Sequence, residues 1–408
     1  MTSLDAALGR GLAGRDGRAR ALVFVGAFAL YAATSVLVAR AAAVPLGSLA
    51  VFFDGHLYLE IAKSFPLPYA PEAIDYAGHA PGFPASIYLA RLLVPDALAG
   101  WGAVALAAVF AASAYATVVF YDVCRLLELP AAGGALVFAV ANPEWLSLAS
   151  TAHAEPLAML FSLLALRAYL NDALPTCVAF LSLATLTRFP AILLGLPFAF
   201  GTLVRRDRRN VRTLLLLGVP IVSLLLLHLY LVARIPSFRG IWGAHSVFWA
   251  PAWIPPFAGL LAWAKPGLWR PFLFAMTYGT VLVYLASIAV GLVRRQGPRP
   301  MLALWVAAIL VFHVSLANSA PHLVRLTLLA WPAALLLLSS ALAPALRRAR
   351  PRAAAGFLVA CACAAAASAG AACALARGAV ALQRDRGYIA DEIRRLDTDT
   401  PRWVDFER

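Results

Sequence analysis

A few short stretches of this 408-residue chain gather side chains able to take a proton or hold an anion. The first reads Phe52-Phe53-Asp54-Gly55-His56-Leu57-Tyr58-Leu59-Glu60, followed by His79-Ala80-Pro81-Gly82-Phe83-Pro84. A carboxylate near imidazoles is equipment for general acid–base catalysis, with Asp54 as the candidate base. The plainer account of Asp54 is an N-cap, because apolar residues at 57, 61 and 65 forecast a helix beginning just after it. His79 opens a stiff Pro-Gly-Phe-Pro turn, where it can bond a substrate or Asp54, or simply precede a helix start. Asp54-x-His56 with a distant His79 is a weak metal pattern, so a divalent metal stays open.

Three further positions add charge. Thr151-Ala152-His153-Ala154-Glu155-Pro156 leads into an apolar run, so Glu155 suits the positive end of a helix. Arg188 stands between two short apolar segments, and its guanidinium needs an anion there: Glu155, Asp54 or a ligand phosphate. Ala320-Pro321-His322-Leu323-Val324-Arg325 opens another apolar run, where a single arginine ordinarily snorkels to lipid headgroups.

The elements that position these groups are set by composition. The chain is 62% hydrophobic and 13% charged, with a mean hydropathy of +0.80. A soluble domain carries about twice that charged fraction, so disorder, a disulfide scaffold and a cytosolic enzyme are excluded. The expectation is an all-α polytopic membrane protein with about eleven transmembrane helices. The spans read as 21–40, 98–120, 131–150, 155–171, 175–187, 189–203, 213–232, 272–293, 301–318, 325–345 and 353–376. The pair at 175–203 is short for two crossings and reads as two half-length helices meeting inside the protein. Two large loops interrupt the bundle. The first, 41–97, is expected to carry interfacial helices; the second, 233–271, holds Trp242, Trp249, Trp253, Trp263 and Trp269 with His245. The domain division is 1–376 for the membrane body and 377–408 for a charged tail.

Net charge is +14, but the basic residues lie in short runs between spans rather than on one face, which argues topology and not nucleic acid. The N-terminal arginines, Arg125, Arg167 and the runs at 205–212, 294–299 and 347–352 place 18 basic residues on one side, against 9 on the other before residue 377. The richer side is read as cytoplasmic, with the N-terminus there and the tail outside. Asp54, His56, Glu60, Asp75, His79, Glu144, His153, Glu155, His245 and His322 then all fall at the outer face. Ionisable groups at membrane depth cost about 2.5–3.5 kcal/mol each on insertion scales and so mark function. Cys124, Cys177, Cys361, Cys363 and Cys373 lie in apolar segments without zinc-ligand spacing.

The ordered set of motifs resembles the GT-C superfamily of integral-membrane glycosyltransferases. Its closest likeness is to the bacterial mannosyltransferase-like members, including relatives of GPI mannosyltransferase 2. The residues that carry the resemblance are Phe53-Asp54-Gly55-His56-Leu57-Tyr58, Ala154-Glu155-Pro156-Leu157, Leu186-Thr187-Arg188-Phe189-Pro190, and Val324-Arg325 through Trp331-Pro332. The resemblance implies transfer of a sugar, mannose-like, from a polyprenyl-phosphate donor to an acceptor hydroxyl on a glycan, lipid or protein. The transfer is expected at the extracytoplasmic face of a bacterial inner membrane, by single inverting displacement. It implies Asp54 as base, with His56, Tyr58, His79, Glu155, Arg188, His322 and Arg325 as candidates to bind substrate. Phe53 stands where that family has tryptophan, and a second adjacent carboxylate is missing. Two other classes stay open: a lipid-linked sugar flippase or transporter, and a non-catalytic envelope-assembly protein.

Overall fold

The computed structural model describes residues 3–52, 54–69, 76–95, 99–204, 215–235, 238, 255, 257, 270–294, 296–315, 323–347 and 351–384. Asp75, His245, His322, the five loop tryptophans, the 205–212 arginine run and the tail beyond 384 lie outside the described residues. Secondary structure among the described residues is helical throughout. The helices are α1 (Ser3–Ala42), α2 (Gly55–Lys63), α3 (Gly82–Leu93), α4 (Trp101–Leu126), α5 (Ala131–Val140), α6 (Pro143–Leu148), α7 (Glu155–Leu170), α8 (Leu174–Thr187) and α9 (Gly195–Val204). They continue with α10 (Val219–Arg234), α11 (Arg270–Val293), α12 (Arg299–Val314), α13 (Leu323–Leu326), α14 (Trp331–Arg347) and α15 (Pro351–Arg384). Tight 3₁₀ turns cover Leu46–Val51, Phe189–Leu194 and Leu328–Ala330.

Among the described residues five helical stretches are long and apolar enough to cross a membrane, not the eleven expected: Asp16–Ala42, Trp101–Leu126, Leu215–Arg234, Ala275–Val293 and Gly356–Ala374. Several of the other expected spans are broken near a proline. The 131–150 run splits after Val140, where Asn142 Oδ1 accepts from the backbone amides of Glu144 (3.0 Å) and Trp145 (3.1 Å) and Pro143 begins a new helix. The 325–345 run splits into α13, a 3₁₀ turn and α14, because Pro332 can give no amide to continue a helix backwards. The 175–203 pair is joined at an extended Arg188 (φ −150°, ψ 110°) followed by the Phe189–Leu194 turn.

The Trp101–Leu126 stretch is the centre of the bundle: 72% of its apolar window is buried, against 22–28% for the other four. Its alanines and serine let α1, α5 and α7 approach closely. Alongside this centre, α8 packs on α7 and α10 on α8, while α11, α12 and α14 form a second group and α15 lies on α1 and α6. Exposed leucines and valines of α10, such as Leu225, Leu226 and Leu229, face outward, as lipid-facing positions do.

Charge collects at two opposite ends. At one, Asp122 is held by Arg20 (2.7 Å) and Arg167 (3.3 Å), and Arg125 by Asp16 (2.7 Å). At the other lies Glu155, the first residue of the helix that carries Arg167, twelve residues or roughly 18 Å away. The described residues of the expected outer loop are docked onto this second end. Tyr230 Oη donates to the carbonyl of Pro68 (2.7 Å), Arg234 Nε to that of Tyr69 (2.9 Å), and Tyr69 Oη to that of His79 (2.5 Å). The loop therefore hangs from α10, and His79 is fixed through its own backbone.

Two glycines fit the loop to the body. A Cβ on Gly55 would run into the carbonyl of Ala50 and sit 3.1 Å from that of Ala152. A Cβ on Gly82 would lie 2.6 Å from Thr187 Oγ1 and 2.8 Å from the Leu186 carbonyl. Gly55 thus abuts the segment leading to Glu155, and Gly82 the segment leading to Arg188. Gly82→Ala is expected to cost about 1–3 kcal/mol by overpacking against backbone, while Gly26→Ala, with open space around it, should be neutral or slightly stabilising. Thermal unfolding of the two variants in detergent checks the contrast; equal melting would show that the loop yields at Gly82.

Candidate functional site

Each charged side chain of the site stands at a break in a helix. Asp54 occupies the position before α2, but its side chain makes no capping bond to that helix, contrary to the plainer sequence reading. Its Oδ2 instead accepts from Arg325 Nη2 at 2.5 Å, across 271 residues of chain. Arg325 Nε donates to Glu155 Oε1 at 2.7 Å, and Arg188 Nη2 lies 3.1 Å from that same oxygen. The result is a continuous chain, Asp54–Arg325–Glu155–Arg188, in which two carboxylates offset two guanidiniums. Arg325 is therefore not a snorkelling arginine. It is a bridge between two acidic groups contributed by different segments.

Irregular backbone at this depth is tolerated only where protein satisfies its polar groups. Behind Arg325, the carbonyls released by the α13–α14 break are taken up by Tyr284 Oη on Thr327 (3.0 Å) and Trp305 Nε1 on Leu329 (2.9 Å). Behind Glu155, Ser35 Oγ donates to the carbonyl of Ser150 (2.7 Å), and Thr151 Oγ1 pairs with His153 Nδ1 at 2.9 Å. These positioning residues carry no sequence signal that separates them from ordinary core polar groups. Only the tertiary pairing identifies them.

The imidazoles and the phenol complete the wall. His79 Nε2 is 4.0 Å from Asp54 Oδ2 and its ring meets the Tyr58 ring edge-on at 5.4 Å. Tyr58 is in turn edge-on to Phe83 of the Pro-Gly-Phe-Pro turn, at 5.3 Å. His56 is buried on α2. His153 is fully buried and lies in the field of Asp54, Glu155, Arg188 and Arg325. Of the residues singled out from the sequence, Asp54, Tyr58, His79, Glu155, Arg188 and Arg325 are brought together. His322 lies outside the described residues.

Partial exposure shows that the cluster lines a recess. Asp54 is 31% exposed, Arg188 18% and Arg325 16%, whereas Glu155 at 2% forms the floor. Burial acts to raise the Asp54 pKa, but the Arg325 guanidinium, the neighbouring His79 and His153, and the hydrogen bond from Arg325 together hold it well below the usual carboxylate range. Because this folded-state pKa is depressed, the pairing is complete above the ordinary aspartate range and is lost only as pH falls through the lowered value. Asp54 is thus charged at every pH near neutrality. Among the described residues no group of three or more His, Cys, Asp or Glu is placed to hold a metal ion, and Asp54 and Glu155 both face guanidiniums. Among the described residues, the donors at this recess do not make up a metal-binding set.

The fold compares with the crystal structure of ArnT from Cupriavidus metallidurans bound to undecaprenyl phosphate. The two share a TM-score of 0.54 and 18% sequence identity, over 93% of this chain and 74% of that one. The apo-state structure of the same protein gives a TM-score of 0.43 and 20% identity, over 74% of this chain and 57% of that one. No protein-family model matches the chain, and no curated protein does either. At this identity the likeness is one of fold: a helical membrane protein whose architecture runs through nearly the whole chain.

Proposed function

We propose that this chain transfers a sugar from a polyprenyl-phosphate donor to an acceptor hydroxyl at the extracytoplasmic face of the membrane, with inversion at the anomeric carbon. The observation that carries the reading is the pair of guanidiniums meeting on one buried carboxylate oxygen, next to a carboxylate exposed in the recess. A phosphodiester reaching the recess along the bilayer finds two cations whose partners are only intramolecular. It draws Arg325 toward its own oxygens and loosens the hold on Asp54. The acceptor hydroxyl then attacks the anomeric carbon, its proton passes to Asp54, and the bond from that carbon to the phosphate oxygen breaks. The polyprenyl phosphate leaves with one more negative charge, which Arg188 and Arg325 stabilise. The fold likeness to a protein bound to undecaprenyl phosphate supports a lipid-phosphate ligand, and the motif resemblance supports a mannose-like sugar.

Orientation rests on charge. The end opposite the recess carries Arg20, Arg125 and Arg167, so by the positive-inside rule the recess faces outward in a bacterial inner membrane. The eleven-crossing topology, with the shorter helices completing the bundle around the five long ones, belongs to the same proposal. The test is incubation of the purified protein in detergent with radiolabelled polyprenyl-phosphate sugars, mannose first, and glycan, lipid or protein acceptors. Transfer with an inverted anomeric linkage is the expected result. Failure with every lipid-phosphate donor would overturn the reading.

A further inference from the structure

The two carboxylate oxygens of Glu155 are used unequally. Oε1 accepts from Arg325 Nε at 2.7 Å and lies 3.1 Å from Arg188 Nη2. Oε2 is buried as well, and among the described residues it has no hydrogen-bond partner. Paired with two guanidiniums, Glu155 is ionised, and an ionised carboxylate oxygen can only accept. A buried acceptor left unpaired is costly, and rare enough in a native fold to need a reason. Resting on the lipid-phosphate reading, we propose that Glu155 Oε2 accepts a hydrogen bond from a hydroxyl of the donor sugar, the one on the carbon next to the anomeric centre.

Glu155 is not free to turn and satisfy this oxygen within the protein. It is the first residue of α7, with Pro156 next. The segment before it is tied down by Ser35 Oγ on the Ser150 carbonyl (2.7 Å) and by the pair Thr151 Oγ1–His153 Nδ1 (2.9 Å). At the other end of the side chain, guanidiniums from two separate helix breaks pin Oε1. Held at both ends, the carboxylate keeps Oε2 in one place, ready for a ligand without rearrangement of its own.

Which hydroxyl reaches Oε2 follows from what Oε1 holds. In the proposed reaction Arg188 and Arg325 carry the phosphate, and the sugar hangs from that phosphate through its anomeric carbon. Oε2 belongs to the carboxylate that both guanidiniums share, so a sugar group bonded to it lies close to the phosphate. The hydroxyl on the adjacent carbon is the nearest. The acceptor enters instead beside Asp54, which is 31% exposed against 2% for Glu155. The bond also suits the chemistry: when the anomeric carbon turns cationic, a hydrogen bond to the neighbouring hydroxyl strengthens in the transition state.

The test is equilibrium binding to the whole protein in detergent, without acceptor, so that any dependence on hydroxyls belongs to the donor. The probes are undecaprenyl-phosphate mannose and its 2-deoxy, 2-deoxy-2-fluoro and 6-deoxy counterparts. Loss of a hydrogen bond to a charged group should weaken the 2-deoxy donor by about 10- to 100-fold, with the 6-deoxy donor little changed. Fluorine has no proton to give, so the fluoro donor should bind as weakly as the 2-deoxy one. In E155Q the guanidiniums claim the amide oxygen and an NH2 group replaces Oε2, so the penalty for fluorine should shrink to a few-fold. D54N should keep the full penalty; this removes the other carboxylate of the recess and supports the assignment even if E155Q does not fold.

Equal binding of the parent and 2-deoxy donors, as a water molecule held at Oε2 would allow, overturns the proposal. So does an equal loss with the 6-deoxy donor, binding restored by fluorine, a penalty unchanged in E155Q or one lost in D54N. Weaker binding of the mannosyl donor than of undecaprenyl methyl phosphodiester counts the same way. All of these leave the lipid-phosphate reading intact, whereas no binding of either the mannosyl donor or the diester would sink that reading itself.

Discussion

Asp54→Asn is expected to lower sugar transfer by about 10³-fold while binding of the lipid-phosphate donor is kept or tightened. The loss follows from removing the group that takes the acceptor's proton, a contribution of about 10²–10⁴ in rate. The tightening follows from the ion pair at 2.5 Å: asparagine can still accept a hydrogen bond from Arg325, but it no longer neutralises it. The two guanidiniums then face a single carboxylate, Glu155, and a phosphate competes against less. The signature is a fall in kcat without a rise in KM for the donor. A flippase or an assembly partner would show no loss of function on this change, because for those classes Asp54 has no proton to take. Steady-state transfer and equilibrium binding of the same donor, measured on the same preparation, decide it. Unchanged transfer would remove Asp54 from the chemistry.

Arg325→Met is expected to be the most damaging single replacement for stability. Arg325 is shared between Asp54 and Glu155, and Glu155 is 2% exposed. Removing the bridge leaves two carboxylates without their common cation. Breaking a buried pair in this way costs about 3–5 kcal/mol, and the 31% exposure of Asp54 places the value toward the lower end. Transfer should be lost along with phosphate binding. Adding Asp54→Asn to the same chain should recover part of the stability and none of the activity, a coupling that thermal unfolding of the four chains in a double-mutant cycle reads directly. Strict additivity would mean that the short contact carries no energy. Arg325→Lys is a milder change, yet one ammonium cannot place two donors in the fixed fork that reaches both carboxylates.

Much of this molecule is legible along the chain, and the parts that are not share a cause. Hydropathy locates some apolar runs to within a few residues, as α8 and α11 show, because long apolar stretches have few alternatives. It reads through the breaks at Asn142-Pro143 and Thr327, since averaging over a window hides a single cap or a missing amide. Those breaks are where the site lies. Residue type singles out Asp54, His79, Glu155, Arg188 and Arg325, which the fold brings together, because a charge in an apolar chain is costly enough to need a reason. Local position misleads about their contacts: Asp54 sits at the capping position yet caps nothing, and Arg325 at a span end does not snorkel.

What the sequence determined by itself is the solvent of the protein, the side on which its basic residues collect, and the short list of side chains with chemistry to offer. The tertiary structure alone decided who pairs with whom. Asp54 and Arg325 are 271 residues apart, and Glu155 and Arg325 are 170 apart. Such pairings depend on how helices cross and how closely Gly55 and Gly82 let the 41–97 loop approach. They depend also on Tyr284 and Trp305 holding carbonyls that no local pattern marks. Local preference acts over a few residues, whereas a site built from four helix breaks is fixed by packing across the whole bundle.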